Sequence, residues 1–287
     1  MNTETVKKVL RGIRRIVEQN EKLSINEVRI IVALERAIAR LIHDRVLQKH
    51  LIFKGGFVLL KNYDSSRFTR DVDALALAIS KEKISELVGE VLSVDLDDGL
   101  WFGDLKVNEL TEAGQYGAYR FGFAFQIGEP EQKKIHNLAR LHIDIGFSDR
   151  VSGIHADSKM IPILKGDPPL CWNIYPLEYI VAEKLHTLIQ RGSANSRAKD
   201  IFDLVHLIPK CVDKKALVAA VQNVFDHRKA PLPKSFAETI VGIDNVFLTQ
   251  GWPSVKTLAS KPSFEETWQS LITFLAGVDG TMISYRS

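Results

Sequence analysis

Three aspartates carry most of the chemistry this sequence can do. Asp71 and Asp73 stand two residues apart in Thr69-Arg70-Asp71-Val72-Asp73-Ala74-Leu75-Ala76-Leu77. Alternate residues of a strand share a face, so the spacing predicts both carboxylates projecting together, with Val72 and Ala74 on the other side. Such a pair is costly unless a cation neutralises it or one member takes a proton. Hard divalent cations, Mg²⁺ above all, take oxygen ligands of this kind and often keep phosphate as a further ligand. A third carboxylate fits. In Arg140-Leu141-His142-Ile143-Asp144-Ile145-Gly146-Phe147 the apolar residues alternate with polar ones, which predicts a half-buried strand with Asp144 and His142 on its polar face. A carboxylate pair on one strand and a single one on its neighbour would form a two-metal site for in-line displacement at phosphorus.

Upstream, Gly55-Gly56 follows the apolar run Leu51-Ile52-Phe53 and precedes Phe57-Val58-Leu59-Leu60, a helix start. Glycines there let backbone N–H groups approach an anion, and a helix N-terminus favours negative charge. Lys54 beside the glycines and Arg70 beside the aspartates are further phosphate candidates.

Gly-Gly, a spacer from Phe57 to Arg70, Asp-Val-Asp and a later strand aspartate resemble the nucleotidyltransferase signature of the DNA polymerase β superfamily. Further words narrow the likeness: Phe53-Lys54-Gly55-Gly56, Arg67-Phe68-Thr69-Arg70-Asp71-Val72-Asp73, Tyr175-Pro176-Leu177-Glu178, Ala182-Glu183-Lys184-Leu185 and Ser196-Arg197-Ala198-Lys199-Asp200-Ile201-Phe202-Asp203-Leu204. Together, over roughly residues 50–210, they resemble the AbiEii/AbiGii toxin family, which includes the MenT toxins. The spacer is slightly long for the common form, and the second glycine is often serine in relatives.

The resemblance implies an Mg²⁺-dependent enzyme, with two ions, that moves a nucleoside monophosphate from an NTP substrate to the 3′ end of tRNA or another RNA acceptor. It implies a toxin that blocks translation, and a helix-turn-helix, AbiEi-like antitoxin encoded nearby. Asp71, Asp73 and Asp144 would be the metal ligands and catalytic carboxylates. Lys184 would contact the triphosphate and Asp200 would hold an essential position. Lys54, Gly55, Gly56 and Arg70 would complete nucleotide binding, and Arg191, Arg197 and Lys199 would make a basic rim for the nucleotide phosphates or an RNA end. Read without the resemblance, Lys184 lies beside the apolar stripe of Val181, Leu185 and Leu188 and would snorkel. Asp200 and Asp203 would be favourable acidic charge early in a helix. Two other readings stand: the same chemistry on a protein or small-molecule acceptor, and a nucleotide- or RNA-binding regulator without turnover.

The 287 residues, 45% hydrophobic and 25% charged, suffice for one large domain or two ordinary ones. A net charge of +3 excludes a wholesale polyelectrolyte binder but permits local basic patches. One such patch is Lys7, Lys8, Arg11, Arg14 and Arg15 on a helix over 3–20, either a solvated face or an RNA-facing one. The two cysteines, Cys171 and Cys211, form no disulfide framework and no metal spacing. The chain begins without a hydrophobic signal core and contains no apolar run near the ~20 residues a span needs, so no membrane partner and a cytoplasmic location are expected.

The elements that must position these residues read as follows. A helix opens with the capping box Ser24/Glu27 and runs to about Gln48. The glycine turn and aspartate strand come next, then a helix over 80–91. A hairpin over 103–127 carries Gly103, Gly114, Gly117 and Gly122. The Asp144 strand follows, then loops around Pro162, Pro168 and Pro169. Helices fill the rest, near 176–191, 197–208, 213–227, 234–248 and 263–276. The fold class is α/β (α+β): a polymerase β-like mixed sheet with helices over 1–170, followed by a C-terminal helical bundle over 171–287 that is expected to complete the active-site cleft.

Overall fold

The computed structural model describes residues 1–110, 117–147 and 156–284, so Gly114 of the expected hairpin lies outside the described residues. The chain forms two compact units. One comprises Met1–Asp64 and Phe68–Tyr175; the other comprises Ser65–Arg67 and Pro176–Ser287.

The first unit opens with α1 (Thr3–Gln19), α2 (Ile25–His43) and α3 (Arg45–His50). Ser24 caps α2 through a full capping box with Glu27. The single helix expected up to Gln48 is broken at Asp44. The Asp44 carboxylate accepts from the N–H groups of Val46 and Leu47, so one residue ends α2 and caps α3. Then follow β1 (Leu51–Lys54), α4 (Gly55–Asn62), β2 (Asp71–Ala76), α5 (Lys81–Leu92), β3 (Leu100–Leu110), β4 (Ala118–Ile127), β5 (Arg140–Phe147), β6 (Ala156–Met160) and β7 (Leu170–Ile174).

The seven strands form one mixed sheet in the order β3-β4-β5-β2-β1-β7-β6. β2 runs parallel to β5 and antiparallel to β1; β7 is parallel to β1. β6 and β7 fall where the sequence suggests loops. Each is five residues long, and prolines between them break the alternation that would announce a strand. α2 is buried from Ile30 to Leu41 except at Arg36 and Ala39. Even Arg40 is only 1% exposed: its guanidinium donates to both Asp98 oxygens and to the carbonyls of Val94, Leu100 and Arg36.

The second unit holds α6 (Leu177–Arg191), α7 (Ala198–Leu207), α8 (Lys214–His227), α9 (Phe236–Val241), α10 (Val246–Gly251) and α11 (Phe264–Ser284). Gly242–Asn245 divides the helix expected over 234–248 in two, and α11 runs eight residues beyond the expected 276. The Asp279 carboxylate on α11 accepts from the backbone N–H groups of Phe236 and Ala237 and from the Ser235 hydroxyl, tying the start of α9 to α11. Cys211 is buried, which pushes its thiol up to about 12, and Cys171 is exposed.

Candidate active site

The aspartates are placed by strand register. β2 reads half-buried, buried, half-buried from Asp71 to Asp73, and β5 alternates the same way from Arg140 to Ile145. Val72, Leu141, Ile143 and Ile145 enter the core, so Asp71, Asp73, His142 and Asp144 are left on the opposite face. Paired residues on adjacent strands project to the same side. Asp73 pairs with Asp144, and Asp71 with His142. On its other side Asp73 pairs with Lys54, and Asp144 with Arg120. One row of four strands therefore reads Arg120, Asp144, Asp73, Lys54. The next reads Gly122, His142, Asp71, with His142 Nδ1 3.5 Å from Asp71 Oδ1.

Gly55 completes the row. It is the first residue of α4 and adopts φ +76°, a left-handed conformation that L side chains avoid. A Cβ built on it would lie 1.9 Å from Asp73 Oδ2 and 2.6 Å from Asp73 Cγ. The start of α4 thus lies directly against the Asp73 carboxylate, and only hydrogen fits between them. Gly55→Ala is expected to cost about 1–2 kcal/mol in backbone strain alone and to push Asp73 from its position. Any activity that uses Asp73 should fall at least tenfold while far-UV circular dichroism stays native. A Gly55→Ala protein with full activity would refute this contact.

Asp144 is only 18% exposed at its side chain, and both its oxygens are engaged by Arg120: Nε to Oδ1 at 2.8 Å, Nη2 to Oδ2 at 2.6 Å. The hydrogen bonds to Asp144, helped by the charges of Asp144, Asp71 and Asp73, hold the Arg120 pKa above its ordinary value. Among the described residues no three His, Cys, Asp or Glu side chains stand close enough to hold a metal ion. The donor chemistry nevertheless fits a hard divalent cation at Asp71 and Asp73, two carboxylates on one face of one strand. Asp144 has the right place in the row but is already satisfied by a guanidinium.

The later candidates gather in the helical unit. Lys184 on α6 lies between two aspartates of α7, with Nζ 2.6 Å from Asp200 Oδ1 and 2.9 Å from Asp203 Oδ2. Arg67 grips both Asp203 oxygens at 2.7 and 3.0 Å, and Arg197 Nε donates to Asp200 Oδ2 at 2.6 Å. Asp200 and Asp203 are buried. Burial alone would raise their pKa values, but the Lys184, Arg197 and Arg67 charges outweigh it and hold both below the ordinary carboxylate range. Burial would likewise lower Lys184, and the two carboxylates more than restore it.

Arg191, in the last turn of α6, and Arg70, beside β2, are exposed and make no ion pair among the described residues. Lys199 is exposed. Lys54 Nζ lies 5.4 Å from the Tyr175 ring centroid. Two residues were not singled out in the sequence for any role: Arg120 and Arg67. Arg67 is visible only as the start of the Arg-Phe-Thr-Arg word, and Arg120 carries no signal at all until the pairing of β4 with β5 is known.

The family model for the AbiEii nucleotidyl transferase toxin of type IV toxin–antitoxin systems matches residues 36–277. No curated protein matches the chain. Among solved structures, JHP933 from Helicobacter pylori is similar at TM-score 0.53 and 16% identity, covering 92% of this chain and 96% of its own. The nucleotidyltransferase toxin MenT4 from Mycobacterium tuberculosis is similar at TM-score 0.50 and 18% identity, covering 97% and 99%. At such identities these two speak for the fold, a mixed sheet with C-terminal helices.

Proposed function

Since the chain belongs to the AbiEii nucleotidyl transferase toxin family, and is on that ground a nucleotidyltransferase, we propose that it transfers a nucleoside monophosphate from an NTP to the 3′ end of a tRNA, with Mg²⁺ as cofactor, and so blocks translation. The observation that carries the reading is the row of Asp73 and Asp144 in register, with Asp71 on the same face and Gly55 in contact with Asp73.

In the reaction an acceptor hydroxyl oxygen forms a bond to the α-phosphorus, the bond from that phosphorus to the bridging oxygen of the β-phosphate breaks, and pyrophosphate leaves with the electron pair. A bound divalent cation would supply charge neutralisation at the phosphates and a lower pKa for the attacking hydroxyl. Asp71 and Asp73 would hold it. The α4 N-terminus at Gly55-Gly56, with Lys54, would take phosphate oxygens. Asp144, its oxygens shared with Arg120, would orient the acceptor and receive its proton only when that pairing loosens. We assign Lys184, Asp200 and Asp203 the task of holding α6, α7 and Arg67 together. Both short contacts of the Lys184 ammonium are made inside this cluster, to Asp200 and to Asp203.

An RNA acceptor is supported by α1, where Lys8, Arg11, Arg14 and Arg15 are exposed and make no ion pair among the described residues. The partner expected from the family is an antitoxin, here a helix-turn-helix protein encoded nearby. Among the described residues no helix is long and apolar enough to cross a membrane.

The test incubates the protein and Mg²⁺ with each of four α-labelled NTPs, with total tRNA and a protein pool in separate tubes. Label should enter tRNA at its 3′ end with equimolar pyrophosphate. Label entering protein alone would reject the tRNA acceptor.

A further inference from the structure

Arg120 occupies a carboxylate that the catalytic row needs. It meets Asp144 through two parallel hydrogen bonds, the strongest geometry open to an arginine and a carboxylate. The two residues are direct cross-strand partners on β4 and β5, so the guanidinium is delivered by the sheet itself. The Asp144 side chain is 18% exposed and that of Arg120 40%, so water reaches the pair from the arginine side. Asp71 differs: its side chain is 47% exposed, and His142 Nδ1 approaches it at 3.5 Å.

We propose that Arg120 competes with a divalent cation for Asp144, so that Asp144 is a conditional ligand beside Asp71 and Asp73, and Arg120 sets the cation concentration at which the row is complete. The proposal rests on the metal-dependent reading above and adds a residue to it. Arg120 is a positioning residue, acting through Asp144. Its positive charge is attracted to Asp144, Asp71 and Asp73 and offsets the repulsion among them. Releasing Asp144 to a cation sets the guanidinium free on the same face, where a phosphate can pair with it. Arg120 thereby couples occupancy of the row to the presence of an anionic substrate.

The experiment measures Mn²⁺ binding to the full chain without nucleotide, reading free Mn²⁺ by electron paramagnetic resonance at one pH and salt concentration. Arg120→Gln is expected to bind Mn²⁺ about tenfold tighter, the scale on which groups contacting a ligand move metal affinity. Arg120→Lys should stay near wild type, and Arg120→Gln/Asp144→Asn should lose the gain. A second measurement needs no change at Arg120: Asp144→Asn alone leaves the Arg120 charge uncompensated near Asp71 and Asp73, so Mn²⁺ affinity should fall, but by less than tenfold. A natively melting Arg120→Gln with unchanged or weaker affinity overturns the proposal, as does a tenfold loss in Asp144→Asn. If wild type binds no more Mn²⁺ than Asp73→Asn, the metal reading itself fails and takes this proposal with it.

Discussion

Asp73→Asn is expected to reduce nucleotide transfer by about a thousandfold or more, equivalent to ~4 kcal/mol of lost transition-state stabilisation. Asp73 is the hinge of the row. It pairs with Asp144 on one side and with Lys54 on the other, and Gly55 packs onto its carboxylate. Asparagine keeps the shape and removes the charge, so the Gly55 contact and the strand register should survive. Initial rates of labelled-NTP transfer, with melts run in parallel, check both halves. Transfer above a tenth of the wild-type rate in a natively melting Asp73→Asn protein would remove Asp73 from the site.

How much of this row the sequence discloses follows from what strand periodicity can and cannot encode. Period two puts Asp71 and Asp73 on one face and Asp144 on the polar face of its own strand, and both placements hold. Periodicity within a strand says nothing about which strand lies beside it. The parallel pairing of β2 with β5, separated by some seventy residues of sequence, brings Asp144 into line. The antiparallel pairing of β4 with β5 brings Arg120. The same limit hides the Lys184 cluster. The helix containing Lys184 and the helix containing Asp200 and Asp203 are each legible, but a lysine flanked by Val181, Leu185 and Leu188 looks like a snorkelling side chain until α7 lies against it. Short elements fail for a different reason. β6 and β7 are too brief and too close to prolines to show alternation, and Asp44 reads as one more polar residue in a helix until its carboxylate is seen capping α3.

Lys184→Met should destabilise the helical unit by about 3 kcal/mol, the low end of the range for removing one partner of a buried ion pair, because Arg67 still grips Asp203 and Arg197 still holds Asp200. The side chain is 14% exposed, Asp200 2% and Asp203 0%, so water cannot replace the lost ammonium. Methionine fills the volume, which isolates the charge effect from a cavity effect. The pH dependence identifies the cause. Asp200 and Asp203 have folded-state pKa values below ordinary ones, so the stability they contribute is complete above the unfolded value of ~3.9 and is lost as pH falls through their folded values. Without Lys184 those folded values rise. The deficit of Lys184→Met should therefore be full near neutrality and narrow as the solution is acidified below about pH 4, once protons do for the carboxylates what the ammonium did. Urea unfolding followed by tryptophan fluorescence across this range measures it. A deficit that stays constant with pH would mean lost packing, and no deficit at neutral pH would return Lys184 to the nucleotide. Loss of transfer activity in Lys184 variants has two readings until this titration is done, and an unstable, inactive protein favours the ion-pair cluster as the scaffold of α6 and α7.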